Sequence, residues 1–160
     1  MRDPNSEVRL NVISHLEAGN RIIGMDLLSQ SLLPAIHELA SDRQWRVRLA
    51  IIEYIPLLAA QMGSDIFNEK LSELCIGFLG DPVFSIREAA TLNLKNLTDK
   101  FGLEWALATI LPKVFNMHTD TNYLCRMTSL NAVKVLCPTF TSNALKETML
   151  PLVLQLAAVR

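Results

Sequence analysis

The stretch Asp42-Arg-Gln-Trp-Arg-Val-Arg-Leu-Ala-Ile-Ile decides the fold, because its pattern recurs along the chain at a fixed interval of 39 residues. Its aspartate, its last arginine and the apolar residue before that arginine all have counterparts at this interval. They are Asp3, Asp42, Asp81 and Asp120; Arg9, Arg48, Arg87 and Arg126 (with Arg48 in the quoted stretch); and Val8, Val47, Ile86 and Cys125. A period of about 20–50 residues is typical of stacked repeat arrays. We therefore predict one array of four units, residues 1–41, 42–80, 81–119 and 120–160.

Each unit is predicted to form a long helix, a turn and a shorter helix. In unit two the long helix covers about Asp42 to Met62, and its apolar residues recur with helical spacing. The predicted inward faces are Val47, Ile51, Ile55 and Leu58; Val8, Val12, Leu16 and Gly19; Ile86, Ala90, Leu94 and Leu97; and Cys125, Ser129, Val133 and Leu136. Gly24, Gly63 and Gly102 are expected to end their helices in the left-handed conformation. Unit four has Thr141 there, and Pro138 is expected to stop its helix early.

The shorter helices are predicted to open with a Ser or Thr cap followed by a first-turn proline. The pairs are Ser31 and Pro34, Thr109 and Pro112, and Thr148 and Pro151, while Asn68 is expected to cap in unit two. Their apolar face continues as Ile36, Leu39, Cys75, Phe78, Val114, Met117, Val153 and Leu156. The sequence shows no strand-like alternation, so we predict an all-α fold, an alpha-alpha superhelix of four helical hairpins.

One hairpin of this kind cannot bury both of its apolar faces, so its stability depends on stacking against neighbouring units. Such arrays need end units with a polar outer face, and this sequence has none. We therefore expect a segment of a longer array or a short natural relic of one. Its two ends should expose apolar surface and favour self-association.

Composition limits the classes of partner and the compartment. Half of the residues are hydrophobic and the net charge is −1, which gives no overall attraction to nucleic acid or to an anionic membrane. Cys75, Cys125 and Cys137 lack C-x-x-C spacing, which predicts reduced thiols in a cytoplasmic or nuclear protein. No basic-then-apolar leader follows Met1, and no uninterrupted apolar stretch of about 18 residues is present, so we expect neither a signal peptide nor a membrane span.

The repeated aspartate and arginine are interpreted first as structural residues. The aspartate is expected to cap the long helix. The arginine is expected to lie at the seam between units, where it donates to the aspartate or to backbone carbonyls of the adjacent unit. The alternative is an exposed row of arginines that binds a partner.

An aromatic column follows the same interval, with Trp45, Phe84 and Tyr123, while unit one has Ser6. Each ring precedes a core position by two residues, which is about 200° on a helix, so the rings should point away from the buried face. Trp and Arg are common at binding hot spots, and Arg46 follows Trp45. We weigh a docking strip against rings that merely cover the loops between units. Trp105 either anchors the turn of unit three or belongs to a second contact ridge.

Catalysis has little support in the sequence. His15, His37 and His118 are not spaced as a ligand pair, and His15 is expected to be a satisfied core histidine. We find no phosphate-binding glycine loop, no H-E-x-x-H and no nucleophile elbow. The densest basic cluster, around Arg43, is flanked by Asp42 and Glu53. We therefore predict a non-enzymatic protein with no catalytic residues, no cofactor and no metal.

The unit as a whole resembles the HEAT repeat: an aspartate at its start, Val-Arg six residues in and Leu-Pro in the second helix. Longer runs are similar to the scaffold (A) subunits of protein phosphatase 2A. They are Asp3-Pro-Asn-Ser-Glu-Val-Arg-Leu-Asn, Leu28-Ser-Gln-Ser-Leu-Leu-Pro-Ala-Ile, Trp45-Arg-Val-Arg-Leu-Ala-Ile-Ile-Glu-Tyr, Ile86-Arg-Glu-Ala-Ala-Thr and Asn122-Tyr-Leu-Cys-Arg-Met-Thr. The likeness extends over nearly the whole chain and is closest to the later-middle repeats of that family.

The resemblance implies a non-catalytic horseshoe that holds a phosphatase catalytic subunit on its C-terminal repeats and a regulatory subunit on its N-terminal ones. It implies that Trp45 and Arg46 meet the catalytic subunit, with Phe84 and Tyr123 at neighbouring contact positions. Phe84 departs from the tyrosine expected there. Regulatory-subunit binding would need repeats absent from this chain, and catalytic-subunit binding would be incomplete without them.

Two other functions remain open on the sequence. One is a generic HEAT-repeat binding module, such as part of a transport receptor. The other is a helical-repeat enzyme acting on nucleic acid, which would need a basic cleft with a catalytic carboxylate and is disfavoured by the charge balance.

Overall fold

A computed structural model describes residues 3–20 and 32–158, and every regular element in these ranges is a helix. We number the α-helices α1 Ser6–Asn20, α2 Leu33–Ala40, α3 Trp45–Lys70, α4 Ser72–Gly77, α5 Phe84–Phe101, α6 Leu103–Trp105, α7 Leu111–Asn116, α8 Tyr123–Leu136, α9 Ser142–Ala144 and α10 Leu150–Ala158. Short 3-10 turns cover Phe78–Gly80, Met117–Thr119 and Cys137–Thr139, and π turns cover Ala106–Ile110 and Leu145–Met149. The predictions on Gly24 and Ser31, and the predicted inward positions of Gly19 and Leu156, lie outside what the structure describes.

The four long helices pack against one another in chain order. Helix α3 contacts α1 on one side and α5 on the other, and α5 in turn contacts α8. Side-chain contacts join residues 33 to 40 positions apart in sequence; the pairs are Arg9 with Asp42, Tyr54 with the Leu16 carbonyl, Asn68 with Trp105, and Glu73 with Lys113. Equivalent parts of successive units are therefore neighbours in space.

The predicted inward faces of units two and three are confirmed. In α3, Val47, Ile51, Ile55 and Leu58 are fully buried. In α5 the equivalent residues are at most 2% exposed; they are Ile86, Ala90, Leu94 and Leu97. Burial with this spacing is what an amphipathic helix between two layers requires.

Unit one departs from the prediction in part. Val8 and Val12 are 43% and 37% exposed, because α1 packs on the core through Leu10 and Ile13 together with the predicted Leu16. In unit four, Ser129, Val133 and Leu136 are buried as expected, and Cys125 is half-buried.

Helix α10 buries Leu152, so Val153, which was expected to face inward, is 38% exposed. Leu150 and Leu154 are 50% and 59% exposed. Together with the exposed valines of α1, these residues give both outer units the apolar surface that the sequence predicts.

Two glycines end helices as predicted, with positive φ but not with the left-handed helical ψ. Gly63 has φ 74° and ψ 169°, and Gly102 has φ 94° and ψ 167°. This region of backbone space is essentially restricted to glycine. Gly63 lies within the range of α3 and divides it at a kink. In unit four, α8 ends at Leu136, in agreement with the early stop expected from Pro138.

The expected caps of the shorter helices are wrong. Helical backbone begins earlier, at Leu103 and Ser142, so Thr109 and Thr148 lie inside π turns. Thr148 donates its hydroxyl to the Ala144 carbonyl instead of accepting a first-turn amide. Each π turn directly precedes a Leu-Pro pair, at Pro112 and Pro151. A proline has no N–H and crowds the carbonyl four residues earlier, and the wider turn relieves both effects.

Asn68 does not cap either, because it lies inside α3. Its amide oxygen accepts a hydrogen bond from Trp105 Nε1 at 2.8 Å, and its backbone carbonyl accepts the Ser72 hydroxyl at 2.7 Å.

Helix α3 is long and apolar enough to cross a membrane by length and mean hydropathy, and it is the one such helix in the described ranges. It carries Arg46, Arg48 and Glu53, it is kinked at Gly63, and one of its faces is buried among the other helices. These features are those of a core helix, and we interpret α3 as one.

Candidate protein-binding surface

The repeated arginines form a ladder across the first two unit boundaries. Arg48 donates through Nε and Nη2 to the two carboxylate oxygens of Asp81, at 2.8 and 2.9 Å. Arg9 makes the equivalent contacts with Asp42: Nε lies 2.7 Å from Oδ2 in an ionic contact without an aligned hydrogen bond, and Nη2 donates to Oδ1 at 3.1 Å. These four side chains are between 10% and 13% exposed. The structural interpretation of the Asp and Arg repeat is supported at these two boundaries.

The aspartates do not cap the helices directly, which corrects the prediction. Asp42, Asp81 and Asp120 each accept the backbone amide two residues later at 2.8 Å; the amides are those of Gln44, Val83 and Asn122. These three residues are themselves the N-caps of α3, α5 and α8. The aspartate therefore shapes the turn that leads into the helix, as in an Asx turn.

The ladder is interrupted at the third boundary. Arg87 donates through Nη1 to the Asp81 carbonyl at 2.7 Å, as Arg48 does to its own unit's aspartate. Within the described part of the chain, however, Arg87 forms no ion pair with Asp120 or with any other carboxylate. Its guanidinium carbon lies 5.7 Å from the centre of the Phe84 ring.

The aromatic column stands at the helix starts. Trp45, Phe84 and Tyr123 are the first residues of α3, α5 and α8. Phe84 and Tyr123 are each 63% exposed, so their rings point away from the buried face as predicted. Trp45 is half-buried and packs against the core, and the exposed Arg46 holds its guanidinium carbon 4.8 Å from the Trp45 ring centre. Trp45 thus combines a covering role with a cation–π contact.

A groove of about 330 Å³ lies between α5 and α8, and we call it the α5/α8 groove. Phe84, Arg87, Tyr123, Met127 and Thr128 are among its lining residues. Met127 is 60% exposed, so three large apolar side chains reach solvent around one concave site. Exposed apolar clusters of this kind mark interaction surfaces. The groove brings Phe84 and Tyr123 together; Trp45 and Arg46 do not line it.

Sequence reasoning missed Met127 and the role of Arg87. A signal for Met127 exists, since it lies four residues after Tyr123 and on the same helical face. The sequence gives no sign that Arg87 lacks a carboxylate partner, because Arg87 and Asp120 occupy the same repeat positions as the pairs that do form.

Trp105 anchors the turn of unit three to unit two. Besides the hydrogen bond to Asn68, its ring lies 4.8 Å from that of Phe101 and 6.1 Å from that of Phe67, both edge-on. Phe67 is fully buried, so this cluster is part of the core. The alternative of a second contact ridge receives no support.

The histidines contact backbone carbonyl oxygens. His15 is exposed, with Nδ1 2.7 Å from the Asn11 carbonyl oxygen, so the expected core position is wrong because α1 turns a different face inward. His37 Nε2 lies 3.1 Å from the Lys70 carbonyl oxygen, and His118 Nδ1 contacts that of Phe115. Among the described residues, no group of three His, Cys, Asp or Glu side chains is placed to hold a metal ion.

The thiols differ in environment. Burial raises the pKa of Cys75 to about 12, although Lys113 acts in the opposite direction. For Cys125, burial and then the Asp120 carboxylate raise the pKa, while Arg87 lowers it. A thiol that stays protonated at neutral pH is a poor nucleophile.

No protein-family model matches the chain. A curated relative from Pisum sativum, the regulatory A-type subunit of protein phosphatase PP2A, is 52% identical over 55 residues. This alignment covers 34% of the present chain and only 14% of the pea protein. Over about a third of its length, the chain is therefore similar to a regulatory A-type subunit of protein phosphatase 2A.

Proposed function

We propose that this chain is a non-catalytic scaffold segment of a protein phosphatase 2A complex, with its hairpins stacked as a HEAT-type alpha-alpha superhelix. The similarity to the pea protein supports the scaffold role. The stacking is supported by the packing of α1, α3, α5 and α8 in chain order and by side-chain contacts between residues 33 to 40 positions apart.

The proposed docking ridge consists of Trp45, Arg46, Phe84 and Tyr123, and its proposed partner is the phosphatase catalytic subunit. One observation carries this assignment: Phe84 and Tyr123 are each 63% exposed at the two sides of an apolar groove. A buried aromatic side chain removes about 150–250 Å² from water, which makes exposed rings effective anchors. Arg46 adds a cation beside Trp45 at the same helical turn.

For the remaining partners, we propose no regulatory-subunit site, nucleic-acid site or membrane site on these residues. The exposed apolar residues of α1 and α10 are proposed as self-association surfaces. We propose a cytoplasmic or nuclear location, which suits a protein with free thiols.

The test is the affinity of the purified chain for a purified phosphatase catalytic subunit, measured by surface plasmon resonance. We expect the double variant Phe84→Ala plus Tyr123→Ala, and separately Trp45→Ala plus Arg46→Ala, to lose about 2 kcal/mol or more of binding free energy, roughly 30-fold in Kd. Leu92→Ala is the matched control, because Leu92 is 54% exposed on α5 and does not line the groove.

Unchanged affinity in both double variants would remove the residue assignment. Absence of binding by the wild-type chain would remove the catalytic subunit from its proposed place as the partner. Strong salt-sensitive DNA binding would favour the nucleic-acid alternative, and affinity for transport cargo would favour the transport-receptor alternative.

A further inference from the structure

Arg87 has two side-chain nitrogens, Nε and Nη2, that face no acceptor among the described residues, and we call them its open edge. Arg87 is 8% exposed, and its Nη1 donates to the carbonyls of Asp81 and Pro82 at 2.7 and 3.1 Å. Its Nε and Nη2 have no hydrogen-bond partner among the residues that the structure describes. In Arg48 the same two nitrogens hold both oxygens of the Asp81 carboxylate. The chain itself thus shows which chemical group fits this edge.

Asp120, which stands where the next carboxylate of the ladder would be, forms no ion pair with Arg87. It is exposed, and its Oδ1 accepts the Asn122 amide at 2.8 Å. Asp42 and Asp81 accept the equivalent amides and hold an arginine as well, so Asp120 differs from them in lacking the arginine.

Arg87 is one of the residues that line the α5/α8 groove. Arg87 and Thr128 are the buried polar residues of its lining, and Phe84, Tyr123 and Met127 supply exposed apolar surface around them. The exposed Glu88 is a further charged lining residue. Arg87 as a residue is 8% exposed and its guanidinium carbon lies 5.7 Å from the Phe84 ring centre, so a bidentate carboxylate there is screened less than it would be at an open surface.

We propose that the α5/α8 groove binds an acidic side chain of a partner protein, an Asp or Glu flanked by bulky apolar residues. The carboxylate accepts from Arg87 Nε and Nη2, and the neighbouring apolar side chains pack on Phe84, Tyr123 and Met127. This assignment rests on the proposed function, since Phe84 and Tyr123 belong to both, and it names the partner chemistry of one part of the docking ridge. A singly charged carboxylate is favoured over a phosphate because Glu88 adds negative charge to the lining of the groove.

The test uses the full chain and two fluorescent peptides in an anisotropy titration, so it needs no phosphatase. Both peptides have Gly-Ser flanks; one contains Leu-Asp-Phe-Leu and the other Leu-Asn-Phe-Leu. We expect the Asp peptide to bind about tenfold or more tightly than the Asn peptide. Replacing charge-assisted hydrogen bonds by neutral ones lowers a binding constant by about this factor. Arg87→Gln should make the two affinities equal.

Arg126→Gln is the matched control. Arg126 makes the same two backbone contacts, to the carbonyls of Asp120 and Thr121 at 2.7 and 3.0 Å, but does not line the groove. It should keep the discrimination between peptides. Asp120→Asn removes the internal carboxylate and should bind the Asp peptide as tightly as the wild type or more tightly. If Arg87→Gln does not fold, Arg87→Lys, which keeps the charge but not the planar fork, should still reduce the discrimination.

Several results would overturn the proposal: equal affinities of the two peptides for the wild type, no binding of the Asp peptide at millimolar concentration, discrimination that survives in Arg87→Gln, or tighter binding of a phosphoserine peptide. The outcomes for the proposed function are separate. Asp-selective peptide binding without affinity for a phosphatase catalytic subunit would keep the groove assignment and remove the phosphatase partner. Full affinity of Arg87→Gln for the catalytic subunit would keep the phosphatase partner and remove the groove assignment.

Discussion

Replacing Asp81 by asparagine tests the ion pair that ties unit two to unit three. The Asp81 carboxylate receives Arg48 through both oxygens, at 2.8 and 2.9 Å, and also accepts the Val83 amide at 2.8 Å. Asparagine keeps the shape and one acceptor oxygen, which can serve the amide. It cannot neutralise the guanidinium, and its own NH2 group faces one of the arginine donors.

The magnitude follows from the burial of the pair. Breaking a buried ion pair by removing one partner costs about 3–5 kcal/mol, and a single hydrogen bond to a charged group is worth about 1.5–3 kcal/mol. The Arg48 side chain retains 11% exposure, and its Nη1 keeps its bond to the Asp42 carbonyl at 2.7 Å, so the cost falls below the upper limit. We expect Asp81→Asn to lower the free energy of unfolding by about 2–4 kcal/mol.

Asp120→Asn is the matched control. Asp120 has the same place in the next unit and accepts the Asn122 amide at the same 2.8 Å, but it forms no ion pair within the part of the chain that is described. Its replacement should change the free energy of unfolding by about 0.5 kcal/mol or less. Urea unfolding followed by far-UV circular dichroism measures both values. Equal losses in the two variants would refute the interrupted ladder.

Three further predictions follow from contacts described above. Trp105→Phe keeps the ring packing but loses the hydrogen bond to Asn68, so the free energy of unfolding should fall by about 1–2 kcal/mol, and adding Asn68→Ala should cost less than it does in the wild type. Gly102→Ala, at φ 94°, should cost about 1–3 kcal/mol in urea unfolding, whereas Gly77→Ala, in helical backbone with no atom near the added Cβ, should be neutral or slightly stabilising. Because burial raises the pKa of Cys75 to about 12, this thiol should resist a thiol-disulfide reagent at neutral pH until urea unfolds the chain; rapid labelling of the folded protein would contradict its burial.

The repeat interval predicts the core well where a helix lies between two described neighbours. Ile51 and Ile86 are fully buried at the predicted positions, because a helix packed on both sides must bury a stripe with helical spacing. Val8 is at the position of Val47 and Ile86 in α1 and is 43% exposed, because α1 turns Ile13 toward α3. The periodicity predicts which positions are equivalent, and the neighbouring helix decides which face is used.

The starts of the shorter helices show a different limit. Local rules place a cap at Thr109 and a first-turn proline at Pro112. The break at Gly102 comes earlier, so the chain is already helical when it reaches the proline, and a π turn accommodates it. The glycine break, and not the Thr109 cap, therefore determines where the second helix of unit three begins.

The sequence predicts which way the aromatic side chains of the candidate site point, but not how exposed each of them is. Rotation about a helix axis predicts that Phe84 and Tyr123 point outward, and both are 63% exposed. Sequence cannot separate them from Trp45, whose ring packs on the core, because all three share one repeat position. The open edge of Arg87 depends on a distance between two units, and residue types alone do not determine that distance.

The missing ion pair at the third boundary also changes how the molecule yields to force. Separating α1 from α3, or α3 from α5, must pull apart charges that are about nine-tenths shielded from water. Spreading α5 from α8 breaks no such pair among the described residues. A force that pulls neighbouring long helices apart would therefore meet less electrostatic resistance between α5 and α8 than at the two earlier boundaries. A partner bound to both Phe84 and Tyr123 would bridge these two helices and add a connection where the ion pair is missing.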